Sequence, residues 1–255
     1  MIKAFLPTIL EQKEKEVARL VLEEVQPLRQ TYSFYDYVKE HSECLQIIAE
    51  IKKASPSLGA INLDVDILAQ ARTYQEAGAA MISVLTDEVF FKGKIDYLRQ
   101  ISEAVSIPTL AKDFIIDEKQ IVRARNAGAT VILLIVAALP ENRLQELYDF
   151  ASKLGLEVLV EIHNLVELEI AHRIGAKIIG VNNRNLTTFE TDLQTSLDLN
   201  KHFQAQAVYV SESAIFSGAD AALLAPHFQA ILVGTALMQA EDVQQKVKEL
   251  AIDKG

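Results

Sequence analysis

The chain has 255 residues, half of them hydrophobic, and 35 acidic against 25 basic side chains leave it a net charge of −10. The acidic surplus argues against nucleic acid or an anionic membrane surface as partner, since both need a basic footprint. A single cysteine, Cys44, excludes an internal disulfide framework and a multi-thiolate metal site.

In chain order, the first apolar stretch, Ala4 to Leu10, is broken by Pro7 and runs into alternating Glu and Lys, too short for a signal-peptide core. The longest apolar run, Val131 to Leu139, is about half of a membrane span, so the expectation is a cytoplasmic protein. Thr8 and Glu11 have capping-box spacing, and Ile9, Leu10, Val17, Leu20, Val21 and Val25 recur at helical intervals. This predicts one or two helices within residues 1–40, packed on the bottom or across the mouth of a barrel built by the rest of the chain. A partner-binding helix is the alternative. No Gly/Ser linker separates the segment, so residues 1–255 are expected to form one domain with residues 1–40 as a helical extension.

The barrel itself is read from eight apolar runs: Cys44–Ile51, Ala80–Leu85, Ile107–Ala111, Val131–Val136, Leu156–Val160, Ile178–Val181, Ala207–Val210 and Ala230–Val233. Several are dense in Val and Ile, as strands buried on both faces are. The stretches between them, such as Lys119–Ala127 and Glu141–Leu154, carry apolar residues at three- and four-residue intervals. Gly-Ala recurs at 78–79, 128–129 and 175–176, each time just before an apolar run, where a helix end calls for positive φ. Alternating strands and helices with tight returns imply parallel βα units. Eight of them predict an α/β fold, a closed (β/α)8 TIM barrel. An open dinucleotide-binding sheet would carry G-x-G-x-x-G, which is absent, as is the P-loop pattern.

Polar groups then appear at the carboxyl ends of these strands on the inward parity: Glu50 and Lys52 after Ile48, Lys112 after Leu110, Glu161 after Leu159, Asn182 after Gly180. In a barrel that end is the reactive face, and a buried charge there is paired or functional. Glu50 and Lys52 alone would suit a structural ion pair; the same change of polarity in four strands favours a site. Lys112 is expected to have a depressed pKa beside other cations, and Glu161 a pKa raised by burial for acid–base work. Asp113, on the opposite parity, is expected to point into the wall. Ser211-Glu212-Ser213-Ala214 after the seventh strand and Gly234-Thr235 after the eighth stand where barrels bind phosphate on backbone N–H groups.

Other chemistries find little support. The five histidines lack H-E-x-x-H spacing, and Glu161-Ile162-His163 has no third ligand in view, so no metal is expected. No G-x-S-x-G elbow exists. Cys44 is expected to be a core residue, and Phe90-Phe91 either lid, pocket wall or packing. These spacings suit cofactor-free acid–base chemistry on a phosphorylated small molecule.

Ala49–Ser57 (AEIKKASPS), Ile82–Thr86 (ISVLT), Ala111–Phe114 (AKDF), Leu133–Val136 (LLIV), Val160-Glu161, Gly180–Leu186 (GVNNRNL), Ser211–Ser213 (SES) and Leu232–Thr235 (LVGT) occur in this order. Together they closely resemble the indole-3-glycerol-phosphate synthase family across essentially the whole chain. The resemblance implies a carboxy-lyase of tryptophan biosynthesis that takes 1-(2-carboxyphenylamino)-1-deoxyribulose 5-phosphate. Ring closure, decarboxylation and dehydration would proceed without metal or organic cofactor, in a monomer or weak oligomer. It implies Lys112 as main general acid, Glu161 as base or acid of dehydration, and Lys52 as second lysine near the ring-closing and carboxylate end. Glu50 and Asn182 would orient these groups. Ser55, Arg184 and Glu212 would contact substrate; Phe91, Phe114 and Leu133 would wall the anthranilate ring; Ser213, Ala214, Gly234 and Thr235 would hold phosphate. Lys52, Lys53, Lys112 and Arg184 would supply the cations.

Two positions depart from the family pattern. Ala214 stands where glycine is expected, at a cost of about 1 kcal/mol if its φ is positive, and Leu58 replaces an expected lysine. The rivals are another phosphosugar barrel, of the phosphoribosylanthranilate isomerase type, which would call for a cysteine–aspartate pair at strand ends, and a non-catalytic barrel that binds a phosphorylated ligand.

Overall fold

The Val- and Ile-rich runs form β1 (Gln46–Ile51), β2 (Met81–Leu85), β3 (Thr109–Lys112), β4 (Val131–Ile135), β5 (Glu157–Ile162), β6 (Ile178–Asn182), β7 (Val208–Glu212) and β8 (Ala230–Val233). Each lies parallel to the next, and β8 closes on β1 with Gln46 opposite Ala230, giving the (β/α)8 barrel. A two-residue hairpin, Ala54–Ser55 against Gly59–Ala60, comes after β1. The computed structural model describes residues 5–28, 32–56 and 59–254; Leu58 lies outside the described residues.

Side chains alternate across each strand. Ile48, Leu110, Leu133, Leu159, Val210 and Leu232 fill the barrel interior. Their neighbours Ile47, Ala111, Leu134, Val160, Tyr209 and Ile231 pack outward under the helices. Gly78, Gly128 and Gly175 take φ of 96°, 98° and 72° at the returns. At Gly128 a Cβ would also come 2.1 Å from the Ser102 hydroxyl, so that return has no room for a side chain.

The amino-terminal segment closes both ends of the barrel. Helix α2 (Phe34–Glu40) plugs the bottom, because Phe34 and Val38 join the interior cluster. Glu157, at the start of β5, accepts hydrogen bonds from the Ser33 hydroxyl at 2.7 Å and the Phe34 amide at 2.7 Å. Helix α1 (Phe5–Val17) lies across the mouth. Its Lys13, 1 % exposed, sets its ammonium 2.8 Å from Asp87 beyond β2, 2.8 Å from Asp113 beyond β3 and 2.9 Å from Glu16. Burial alone would lower the Lys13 pKa, but the two aspartates raise it above the ordinary lysine value. Asp113 also accepts from the Thr86 hydroxyl at 2.6 Å; it does not point into the wall as its parity predicts but lies at the rim of the mouth, where it lines the cavity, because the cation of α1 draws its carboxylate there.

Several local expectations give way. Thr8 falls inside α1 rather than capping it, and the helix stops at Val17. Leu20, Val21 and Val25 are not helical, and Val21 is 82 % exposed. This strap is held by polar contacts instead: Asn126 accepts from the Gln26 amide at 3.0 Å and donates to the Glu24 carbonyl at 2.9 Å, and Arg125 donates to the Gln26 carbonyl. Pro27 comes next and cannot donate in a helix. Cys44 is half-buried, bridged to Asp253, rather than in the core. Among the described residues no helix is long and apolar enough to cross a membrane.

Lys13→Met removes the cation and leaves two buried carboxylates facing each other. Stability should fall by about 3–5 kcal/mol, read as a lower urea midpoint at unchanged slope. A loss below about 1 kcal/mol would place this triad among solvent-screened surface pairs.

Candidate functional site

A cavity of about 1110 Å³, counting the part open to solvent, sits at the carboxyl ends of the strands beneath α1. In an eight-stranded barrel the inward side chains of alternate strands share a layer, and here the odd strands contribute charges: Glu50 from β1, Lys112 from β3, Glu161 from β5 and Glu212 from β7. The Lys112 ammonium donates to Glu161 at 3.0 Å and to Glu212 at 2.6 Å. Asn182 of β6 donates its amide to the other Glu161 oxygen at 3.0 Å and accepts from the Arg184 amide at 3.0 Å. Lys52 donates to Glu50 at 2.7 Å, so the ion pair and the site are one arrangement. Gly180 makes the layer possible: a Cβ there would stand 2.0 Å from a Glu212 oxygen.

The charge states differ from those expected. Lys112 is not surrounded by cations. Burial would lower its pKa, but the charges of Glu161, Glu212 and Glu50 and the hydrogen bond to Glu212 hold it well above the usual lysine value. Glu161 is not raised either. Burial pushes it up, yet the Lys112 ammonium, His163 and the Asn182 amide together hold it below the usual carboxylate range. Glu212 is the raised carboxyl, pushed up to about 7 by burial and by neighbouring Glu161 and Glu50 against the pull of Lys112. His163, at the end of β5, is raised to about 9: burial would lower it, but Glu161 at 3.4 Å and Glu167 at 3.1 Å favour its charged form.

The remaining expected residues surround this layer. Phe91 and Phe114 lie 6.0 Å apart at 35° and, with Leu133, form an apolar wall. Phe90 packs outside it, its ring 5.5 Å from Phe5. Ser55 and Arg184 line the cavity, and Arg184 donates to the Phe189 carbonyl at 3.0 Å. Lys53 does not line it: its ammonium donates to the Leu63 carbonyl at 3.1 Å and lies over the Tyr97 ring, on the outer side of the first loop. Ser213, Ala214, Gly234 and Thr235 line one side of the cavity together, where the turn after β7 meets the short helix Thr235–Met238. Lys52 belongs to this side. A Cβ on Gly234 would stand 3.0 Å from its ammonium and 2.5 Å from Glu50, so the loop can approach only as glycine.

Ser213 and Ala214 take φ of 66° and 63°, so the methyl of Ala214 sits in the left-handed region. The roof was not legible in strand-end parity. Phe5, Leu6 and Ile9 of α1 and Phe189 beyond β6 enter the cavity from segments outside the strands. For the three residues of α1 the signal was the amphipathic start of the chain, which does not say what it covers; Phe189 had none. Among the described residues no cluster of three or more His, Cys, Asp or Glu is placed to hold a metal ion.

The family model described as indole-3-glycerol phosphate synthase matches residues 6–250. Indole-3-glycerol phosphate synthases of Streptococcus thermophilus and Streptococcus pneumoniae are 76% and 71% identical to the chain over 255 residues, the full length of both partners in each comparison. Among solved structures, 3-hexulose-6-phosphate synthase from Salmonella typhimurium superposes with a TM-score of 0.65, covering 81% of this chain and 96% of that one at 14% identity, a likeness of fold.

Ala214→Gly removes the left-handed strain at the cost of some chain entropy, and should raise stability by up to about 1 kcal/mol; an unchanged or lower urea midpoint would show that the turn carries no such strain. The raised His163 pKa gives a signed pH effect. Its contribution to stability is complete below about 6.5 and is lost as pH rises through about 9. An NMR titration of the folded protein should find the imidazole midpoint near 9; one at the free value would remove the carboxylate contacts from the solution structure.

Proposed function

Because the chain belongs to the indole-3-glycerol phosphate synthase family, we propose that Lys112, held between Glu161 and Glu212, is the proton donor of its ring-closing step. The enzyme converts 1-(2-carboxyphenylamino)-1-deoxyribulose 5-phosphate to indole-3-glycerol phosphate, CO2 and water, in tryptophan biosynthesis. It is a decarboxylating lyase. The isomerase and non-catalytic readings are not favoured.

The substrate's phosphate would sit on Ser213, Ala214, Gly234 and Thr235, with the Lys52 charge alongside; the proximity of Lys52 to Gly234 supports this placing over one at the carboxylate end. Its anthranilate ring would lie against Phe91, Phe114 and Leu133 under α1, with Ser55 and Arg184 at the edges. That sets the ring carbon bearing the carboxylate against the ribulose carbonyl. The carbon–carbon bond forms as Lys112 protonates the carbonyl oxygen, which becomes a hydroxyl. Loss of CO2 returns the bonding pair to the ring. The hydroxyl then gains a proton and departs as water while the neighbouring ring carbon loses one, with Glu161 carrying one of these two transfers and the Lys112–Glu212 pair the other, and Glu50 and Asn182 holding the charged groups in register. Glu212, with a pKa near neutrality, can hold a proton beside Lys112 through the cycle as well as contact substrate.

The conversion is redox-neutral and every proton transfer has a side chain to carry it, so no cofactor enters the scheme. The same reading takes residues 1–255 as one barrel domain with residues 1–40 as its helical extension, since α1 and α2 bury their apolar faces on the barrel. The site as read takes a small phosphorylated molecule, and the cytoplasm is where such substrates are made. The observation that carries the proposal is the Lys112 ammonium fixed between two buried carboxylates, in the cavity that Gly234 also lines.

Lys112→Ala should lower turnover by about 10²–10⁴-fold while binding of a phosphate analogue survives. Indole fluorescence reports the product directly, because the chain contains no tryptophan. Wild-type turnover in this variant would remove Lys112 from the role.

A further inference from the structure

The reaction consumes a proton. The substrate enters as a carboxylate and that group leaves as neutral CO2, so substrate anion plus one H⁺ gives product, CO2 and water, with the phosphate unchanged. Lys112 spends a proton on the ribulose oxygen and must be reloaded in every turnover, while substrate and α1 occupy the mouth above it.

A second cleft reaches this layer from the side. It opens at the ends of β5 and β6 and is lined by His163, Glu167, Asn182, Arg184, Glu190 and Asp192. His163 faces this cleft and is not part of the substrate cavity's lining. One ring nitrogen, Nδ1, is hydrogen-bonded at 3.1 Å to Glu167, on the helix Leu165–Arg173; the other, Nε2, is buried without a hydrogen-bond partner and lies 3.4 Å from Glu161, a charge contact that a small ring movement would close. Glu161 in turn meets Lys112 at 3.0 Å, and Lys112 meets Glu212 at 2.6 Å. Five ionisable groups of alternating sign, Glu167, His163, Glu161, Lys112 and Glu212, therefore run from a solvent-open cleft to the centre of the barrel. An imidazole is the side chain suited to the bend in this chain, since it can take a proton at one nitrogen and release another from the second.

We propose that His163 is a positioning residue of the proton supply, which draws the proton consumed in each turnover from the side cleft and returns it to Lys112 through Glu161. The cleft runs beside α1 and shares Leu6, Asn182, Arg184 and Leu186 with the substrate cavity, but the route enters through His163, which does not line that cavity, so reloading does not wait for product to leave. The charges facing His163 are Glu161 on its own strand, Glu167 on the adjoining helix, and Arg184, Glu190 and Asp192 across the cleft. The carboxylates in contact with it raise it to about 9, so it is charged at neutral pH and holds a proton to give.

The inference rests on Lys112 as the donor, and the test separates the two. His163→Gln keeps a polar group beside Glu161 but cannot titrate. The first turnover, on a pre-loaded Lys112, should keep its wild-type rate. Steady-state kcat should fall about tenfold, less than loss of a directly acting acid costs, with KM unchanged. Added imidazole, small enough for the cleft, should restore kcat in proportion to its concentration. Wild-type steady-state kcat in His163→Gln overturns the proposal, as does an equal slowing of the first turnover with no response to imidazole, which marks a structural role. Should His163→Gln fail to fold, Glu167→Gln carries the test: the same split between first and later turnovers supports the route, and wild-type kcat overturns it. Lys112→Ala should slow the first turnover by about 10²–10⁴-fold, and a wild-type rate there would instead overturn the donor assignment.

Discussion

An ammonium group enclosed in a protein must be surrounded by negative charge, or it gives up its proton. Lys112 is enclosed by Glu161, Glu212 and, further off, Glu50, and the rest of the site depends on that arrangement. The three carboxylates keep the lysine charged, and the lysine keeps the carboxylates from repelling one another apart. The imbalance leaves one of them, Glu212, near neutrality. A donor and an acceptor of different strengths thus stand beside each other, which is what successive proton transfers to one small molecule require.

The barrel makes this possible by geometry. Alternate strands place side chains in one layer, so charges more than a hundred residues apart in sequence, such as Glu50 and Glu212, reach the same cross-section. The layer is crowded, and glycine relieves it twice. Gly180 leaves space for Glu212, and Gly234 lets the eighth loop approach Glu50 and Lys52. The roof is fixed by another buried cation. Lys13 joins α1 to the segments after β2 and β3 through Asp87 and Asp113, next to Phe91 and Phe114. Lys13 thereby ties the helix that covers the cavity to the segments that carry the aromatic wall below it.

Strand order, the inward parity of Glu50, Lys112, Glu161 and Asn182, the loops at 213–214 and 234–235, and the Gly-Ala returns were all legible in the chain, because each stems from a local period or a backbone requirement. The extended strap at 21–28 was not, since Val21 and Val25 have helical spacing but no surface to face. Lys53 was misplaced because adjacent charges in Lys52-Lys53 point in different directions once the strand ends, and local spacing cannot say which one turns inward.

The sequence by itself determined the fold, the face of the barrel that carries chemistry and the residue types gathered there, since these depend on periodicity and on a family pattern spread over eight strands. Tertiary structure alone decided the charge states. A pKa depends on which groups lie within a few ångströms after folding, and the partners of Lys112 and Glu161 come from strands far away in the chain. Parity could bring them to one mouth, but only packing could show that Lys112 meets anions rather than cations, and that the raised carboxyl is Glu212.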